Sequence, residues 1–198
     1  MKLNDSTAPR AAVPTGKLEW RLLLRWLMED QLIGVDDADL TTRRFGAGDS
    51  SQHPLVRLGQ AGLLRRGDGA ALDIEVLTEW LAQRVGLPYM RIDPLRVDVG
   101  RVADVMSINY AERRRCLPLQ YTLNEVTIAT AEPLDVGWVA EIEGHTRRAV
   151  RLVVANPIEI ARYTTEFYAL SSSVSAAMKS GSTAALANFE QLVELGRT

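Results

Sequence analysis

Cysteine and histidine are scarce in this chain, whose 198 residues include one cysteine and two histidines. A free cysteine usually packs as a small apolar side chain, so we expect Cys116 to be a buried structural thiol. His53 and His145 stand far from each other and from Cys116, which is not the spacing of a zinc motif. The sequence therefore predicts no metal site and two histidines that are exposed to solvent.

Long apolar runs are also missing. No stretch approaches the roughly 18–20 apolar residues that cross a bilayer, so direct membrane insertion is not expected. No N-terminal apolar segment has the form of a secretory signal. The formal net charge is -2 and the basic residues are dispersed, which argues against a nucleic-acid binder. These absences predict a cytoplasmic protein that reaches a membrane only through partners.

Catalytic motifs are not found either. The sequence has no G-x-x-x-x-G-K-[ST] loop, because Gly16-Lys17 lacks both the upstream glycine and the following hydroxyl residue. The carboxylates of Asp36, Asp37 and Asp39 suit the first turn of a helix, where negative charge is stabilising, better than acid-base chemistry. We predict no catalytic residue and no nucleotide hydrolysis by this chain.

The apolar pattern predicts helices in the first half. Residues 1–16 contain Pro9 and Pro14 and no apolar period, and are predicted to be a disordered tail. Residues 17–86 form a predicted helical subdomain. Its first helix follows residue 17, and a second helix ends near Arg44. A similar unit recurs, with an apolar stretch at 55–64, a loop at 67–69 and a helix at 73–85 that Gly86 ends.

The period changes after Gly86, and residues 87–170 are predicted to be a small α/β sandwich with a three- to four-stranded sheet. The predicted elements are a strand at 87–93, a helix at 99–114, strands at 117–122 and 126–131, a helix at 135–143, a strand at 149–155 and a helix at 157–170. Residues 171–198 have linker composition and end in a short apolar helix. As a flexible coil, this linker would reach roughly 30 Å. The predicted fold class is α+β.

Residues 87–168 resemble the second N-terminal domain of the general secretory protein E family, the type II secretion and type IV pilus assembly ATPases. The segments that carry the resemblance are Leu87-Pro88-Tyr89, Ile92-Asp93-Pro94-Leu95, Arg115-Cys116-Leu117-Pro118-Leu119, Thr127 to Asp135, Pro157-Ile158-Glu159-Ile160 and Phe167-Tyr168. The resemblance implies that an ATPase domain follows the linker in the same polypeptide. It also implies a non-catalytic docking role on an inner-membrane or cytoplasmic component of a secretion or pilus machine, and leaves open which machine.

Many relatives carry two copies of a motif close to R-L-G-x-x-L-V-x-x-G-L-I in the helical half, and some of them bind cyclic di-GMP. In this sequence the first copy has Leu22, Leu24 and Gln31 where arginine and both glycines are expected. The second copy keeps Arg57-Leu58-Gly59 but has Arg66 at the second glycine. The resemblance therefore implies an alternative function, a cyclic di-GMP sensor centred on Arg57, Leu58 and Gly59. Structural use of these helices is the competing interpretation.

Two further features are candidates for partner binding. Arg113, Arg114 and Arg115 form the sharpest run of charge, which suits either the last turn of a helix or an acidic partner. Three of the four tryptophans fall in the helical half, where core packing is more probable than ligand stacking, and Trp20 is the one that we expect to be partly exposed. No cofactor other than cyclic di-GMP is suggested.

Overall fold

The computed structural model describes residues 14–48 and 50–195, with side chains through residue 180. Most of the predicted tail at 1–16 lies outside the described residues. The helices are α1 Trp20–Glu29, α2 Val35–Gly46, α3 Pro54–Gly59, α4 Ile74–Val85, α5 Val102–Val105, α6 Ile108–Arg114, α7 Val139–Thr146 and α8 Pro157–Leu195. Two 3-10 turns precede α5, at Pro94–Arg96 and Val99–Arg101. The strands are β1 Cys116–Tyr121, β2 Glu125–Thr130 and β3 Ala149–Val154. The α+β class is confirmed.

The helical half consists of two helix-turn-helix units, α1–α2 and α3–α4. In the first unit Gln31 ends the turn after α1 with a positive φ of 59°. Gly62, with φ 74°, holds the corresponding place after α3. A hairpin-like loop then inserts before α4, closed by a bridge between Leu64 and Ala71. The turn that corresponds to Gln31 is thus made by Gly62 and not by Arg66, because the second unit carries this insertion.

One hydrogen bond joins the turns of the two units, and local capping fixes both ends of α4. The Arg66 amide in the inserted loop donates to the Leu32 carbonyl at 2.8 Å. Asp73 caps α4 by accepting from the Val76 amide at 2.9 Å, and Gly86 ends α4 with φ 73°, as predicted. These local signals explain why the helix boundaries of α4 are readable from the sequence.

The sheet has three strands in the order β1-β2-β3. β1 pairs antiparallel with β2, and β2 pairs parallel with β3 through the α7 crossover. The predicted strand at 87–93 contributes only a bridge, in which the Val154 amide donates to the Pro88 carbonyl at 2.8 Å and the Met90 amide donates to the Val154 carbonyl at 2.9 Å. Pro88 itself has no amide hydrogen, which limits the segment to this short contact. On the outer side of β1, the Asp98 amide donates to the Leu119 carbonyl at 2.8 Å.

Two predicted helices differ in extent from the observed ones. The predicted helix at 99–114 is broken, because Met106 is extended and the Ser107 hydroxyl starts α6 by accepting from the Tyr110 amide at 3.3 Å. α7 begins later than the predicted residue 135. There the Trp138 indole N–H donates back to the Asp135 carbonyl at 2.7 Å and stabilises a turn.

α8 begins at Pro157, as predicted, and continues to Leu195 through the segment predicted as a coil linker. No proline follows Pro157, and the Ser173 and Ser180 hydroxyls donate to carbonyls four residues earlier, at 3.0 and 2.9 Å, so serine is accommodated in the helix. Residues 172–180 are all exposed, so this part of α8 does not pack on the sandwich. As a helix, residues 171–195 span about 37 Å at about 1.5 Å per residue.

Two hydrophobic clusters lie on either side of Gly86. One is built from residues 18–81 and includes the fully buried Leu23, Leu27, Leu55, Leu58, Leu77 and Leu81. The other is built from residues 92–168 around the sheet and includes Cys116, which is buried as predicted. Leu134, from the loop after β2, packs in the first cluster. It therefore joins the sandwich to the helical half, and the Gly16 amide donates to its carbonyl at 3.0 Å.

Candidate functional site: a cleft between the two halves

A cavity of about 400 Å³ lies where the helical half meets the sandwich. Its walls come from the start of α1, the loop before α3, α3 itself, the end of α6 and the loop after β2. The lining residues are Lys17, Leu18, Glu19, Trp20, Arg21, Ser50, Ser51, Gln52, Pro54, Arg57, Arg115 and Glu132. We call this cavity the junction cleft. It brings together Trp20, Arg57 and Arg115, which the sequence analysis selected for different reasons.

Cations and aromatic rings alternate along one wall of the junction cleft. The Arg21 guanidinium lies 4.3 Å from the centre of the Trp20 ring, and the Arg57 guanidinium lies 4.2 Å from the centre of the Phe45 ring. The two rings meet edge to face, with centroids 5.4 Å apart. Arg57 also donates to the Phe45 carbonyl at 3.3 Å. Such contacts hold the guanidinium groups in place while leaving N–H donors for a ligand.

Arg115 lies at the end of α6, in the left-handed conformation with φ 50°. Its Nη1 donates to Glu132 Oε1 at 2.9 Å, and its Nη2 donates to the Ser51 carbonyl at 3.4 Å. The side chain is 32% exposed. Arg115 therefore links the sandwich to the loop before α3 and presents its remaining N–H groups to the junction cleft.

Glu132 is a carboxylate in the protein interior, with its side chain only 1% exposed. Besides the Arg115 bond, its Oε2 accepts from the Leu18 amide at 2.7 Å. Burial raises the pKa of Glu132 above its ordinary value, while the Leu18 amide and the Arg115 guanidinium oppose that rise. These two donors favour the charged form, and burial disfavours it.

His53 is buried, which contradicts the expectation of an exposed side chain. Its Nδ1 accepts from the Leu55 amide at 3.1 Å and caps α3, and its Nε2 donates to the Ala131 carbonyl at 2.8 Å. Burial lowers the pKa of His53 to about 4, with the Arg115 charge acting in the same direction. His53 is therefore a neutral cap that bridges the two halves. His145 is exposed, as predicted.

Leu58 and Gly59 do not line the junction cleft. Leu58 is fully buried in the core of the helical half. Gly59 packs against the start of α4, where an added Cβ would lie 3.1 Å from the Ile74 amide nitrogen. Of the three residues predicted as a cyclic di-GMP site, only Arg57 lines the cleft, and the other two serve helix packing.

Arg113 and Arg114 do not line the junction cleft. Arg114 pairs with Asp135 at 3.2 Å, and its guanidinium lies 5.7 Å from the centre of the Tyr110 ring. Arg113 is exposed beside the same ring, at 5.5 Å. Trp20 is half-buried, as expected. The arginine run therefore divides, with Arg115 in the junction cleft and Arg113 on the outer surface of α6.

A second cavity, of about 510 Å³, adjoins the junction cleft and shares Gln52 and Arg115 with it. It is mainly apolar, with Val56 from α3, Ala111 from α6 and Ile158, Ile160 and Ala161 from α8. Ile158 is 49% exposed. This groove lies between the helices of both halves.

The junction cleft is equipped to bind an anion. Four cations and two carboxylates line it, which gives a formal excess of two positive charges.

The described residues contain no group of three or more potential metal ligands. Among those residues no helix is long and apolar enough to span a bilayer. Sequence reasoning missed Glu132, His53, Lys17 and Arg21, since only the fold brings these separate segments to one place.

Residues 85–174 match the family model of the MshEN domain. The chain is similar to the type IV pilus assembly ATPase TfpB of Acinetobacter baylyi, with 36% identity over 103 residues. That alignment covers 52% of this chain but only 18% of the length of TfpB. The predicted resemblance to the N-terminal region of secretion and pilus assembly ATPases is confirmed.

Two solved structures are similar to this chain at 18% sequence identity. The structure of MshE with cdg has a TM-score of 0.53 and covers 74% of this chain and 98% of its own. The structure of the N-terminal domain of XpsE has a TM-score of 0.49 and covers 78% of this chain and 99% of its own. The first supports the fold, helical half included.

Proposed function

We propose that this chain is a non-catalytic N-terminal docking and regulatory module of a bacterial type II secretion or type IV pilus assembly ATPase. The observation that carries the proposal is the match to the MshEN domain at 85–174 together with the similarity to a pilus assembly ATPase. The module works in the cytoplasm and reaches the inner membrane through protein partners. ATP hydrolysis belongs to a separate domain of the same polypeptide.

The proposed organisation is a helical subdomain at 17–86, a sandwich at 87–170 and a connection at 171–198 that leads to the ATPase domain. It is supported by the separate hydrophobic clusters and by the exposed part of α8. A module tethered in this way raises the local concentration of the motor at its platform without any further contact.

The exposed Arg113 beside Tyr110 is the proposed contact for an acidic partner surface. We expect Arg113→Glu to weaken binding of the cytoplasmic parts of purified machine components, measured by calorimetry on the full-length protein. Arg151→Glu, at an exposed position of β3, is the matched control and should leave binding unchanged. Equal effects of both variants would argue against a specific surface.

The general proposal is tested by deleting residues 14–180 in the gene that encodes this chain. We expect loss of pilus assembly or secretion in the host, while the purified remainder still hydrolyses ATP. A reading frame with no Walker loop downstream, or normal assembly after the deletion, would overturn the proposal.

A second candidate function is a cyclic di-GMP sensor, which the geometry of the junction cleft favours. Its volume of about 400 Å³ is within the range of small-molecule pockets, about 300–1,000 Å³. Trp20 offers a ring for stacking, and Arg57 and Arg115 offer donors to phosphate. The fold shared with MshE, whose solved structure contains cdg, adds support.

Calorimetry with cyclic di-GMP tests this candidate. We expect measurable binding by the wild-type chain and a loss of about tenfold or more in affinity for Arg57→Ala, which removes charged donors. Arg43→Ala, an exposed substitution on α2 outside the cleft, is the control. No heat at high micromolar ligand would exclude the sensor function and leave the docking function standing.

A further inference from the structure

Arg115 is shared between the junction cleft and the buried carboxylate of Glu132. We propose that a phosphate group bound in the junction cleft competes with Glu132 for the Arg115 guanidinium, and that this competition weakens the hold of Glu132 on the Leu18 amide. The inference rests on the second candidate function, because it requires a phosphate-bearing ligand in the cleft. It adds a route by which such a ligand changes the contact between the two halves.

The guanidinium of Arg115 has N–H groups that make no hydrogen bond to Glu132 or to Ser51. It carries five N–H groups, of which one bonds Glu132 at 2.9 Å and one makes a long bond of 3.4 Å to the Ser51 carbonyl. With 32% of the side chain exposed, the group is reached from solvent through the cleft. Arginine binds phosphate in a bidentate manner, and in the proposal its fork turns toward the ligand and away from Glu132.

Few other groups could take over the role of Arg115 as a positively charged hydrogen-bond donor to Glu132. His53 Nε2 is 3.5 Å from Glu132 Oε1, but it already donates to the Ala131 carbonyl, and its neutral imidazole brings no positive charge. Lys17 is the other cation that favours the charged form of Glu132. In the cleft, Lys17 faces the ligand as well. An anion in the cleft therefore interacts with Arg115 and Lys17, the two cations that stabilise the carboxylate.

Loss of the hydrogen bond from Arg115 to Glu132 changes the contact between Glu132 and the Leu18 amide. A buried carboxylate with one remaining donor is strongly disfavoured, so Glu132 either takes up a proton or moves toward solvent. The first outcome weakens its charge-assisted bond to the Leu18 amide, and the second breaks it. Leu18 is a core residue two positions before the first residue of α1, so the start of the helical half is loosened from the sandwich.

The test uses the intact chain with two probes, cyclic di-GMP and inorganic pyrophosphate, and two measurements. Calorimetry reports binding, and amide hydrogen exchange at Leu18 reports the junction. We expect either bound probe to speed exchange at Leu18 in the wild-type chain. In Glu132→Gln, where the competing charge is gone, we expect binding to tighten roughly tenfold and the exchange rate at Leu18 to be insensitive to ligand.

Glu19→Gln is the matched control, because Glu19 also lines the cleft but is exposed. If Glu19→Gln tightens binding as much as Glu132→Gln does, the effect is one of net charge and the competition is refuted. Binding with unchanged or slower Leu18 exchange refutes the coupling and leaves the sensor function intact. Absence of binding by both probes refutes the sensor function and this inference together. The wild-type exchange measurement needs no variant, so it decides the matter even where Glu132→Gln folds poorly.

Discussion

The carboxylate of Glu132 accepts a hydrogen bond from the Leu18 amide at 2.7 Å, although 114 positions separate the two residues in the sequence. The same carboxylate receives Arg115 from the end of α6. One buried side chain thus joins the segment before α1, the end of α6 and the loop after β2. The contact between the halves depends on a charged group as well as on apolar packing.

We expect Glu132→Ala to lower the free energy of unfolding by about 2–3 kcal/mol, because it leaves the buried Leu18 amide without an acceptor. Arg115 adds little to this figure, since it is partly exposed and regains water. Urea denaturation measures the loss. Glu79→Ala, at an exposed position of α4, is the control and should change stability by less than about 0.5 kcal/mol.

Acid should destabilise the protein through His53. The unfolded chain binds a proton at this residue near pH 6.5, whereas the native protein does so only near pH 4, because its pKa is lowered. The unfolded state therefore holds more protons between these values, and stability falls as the pH is lowered through them. The full effect below pH 4 is about 3 kcal/mol.

The pH effect is measured as the difference between wild type and His53→Asn, whose side chain retains an acceptor for the cap of α3. The difference is needed because Glu132, whose pKa is raised, contributes stability that increases as the pH falls toward its ordinary value. The exposed His145→Asn is the control. A wild-type pH profile unchanged by His53→Asn would contradict the assignment of His53 as a buried neutral group.

Gly59→Ala should destabilise the helical half. The added Cβ would lie 3.1 Å from the Ile74 amide nitrogen and 3.2 Å from the Ile74 Cα, so α3 and α4 must separate slightly. We expect a loss of about 1–3 kcal/mol in thermal or urea unfolding. Gly46→Ala, at the end of α2, meets open space and should be neutral or stabilising by up to about 1 kcal/mol.

Gln31→Gly should stabilise the protein. Gln31 has φ 59°, a conformation that a side chain disfavours and glycine adopts freely. We expect a gain of about 0.5–1 kcal/mol in the free energy of unfolding, reduced in part by the greater freedom of glycine in the unfolded chain. Gln83→Gly in the last turn of α4 is the opposite control, with an expected loss of up to about 1 kcal/mol. Equal losses at both positions would contradict the left-handed turn at Gln31.

Local signals in the sequence predicted much of the fold. Gly86 as the end of α4 and Pro157 at the start of α8 follow from backbone chemistry that acts within a few residues. The predicted strands at 117–122, 126–131 and 149–155 lie within a residue of β1, β2 and β3. β-branched residues favour strand in β2 and β3, whereas β1 contains none. The break between α5 and α6 was missed, since the apolar spacing continues across it.

The junction cleft was not predictable in the same way. Arg57, Trp20 and Arg115 were each selected, but no pattern in the sequence indicated that they share a cavity. Glu132 gave no sign of burial, because only the meeting of the two halves places donors around it. The motif placed its second glycine at Arg66, seven residues after Gly59, whereas the turn lies at Gly62, only three residues after Gly59, and Arg66 lies in the inserted loop.

The sheet is closed to further strands along both sides at the places described above. The backbone groups of Val154 on β3 are taken by Pro88 and Met90, while Pro118 on β1 has no amide hydrogen and the Leu119 carbonyl is taken by Asp98. An extended peptide has no free ladder to join at these positions, so recognition by strand addition is disfavoured, as is edge-to-edge aggregation. If the chain is a docking module as proposed, a partner at these positions would contact side chains and not the sheet edge.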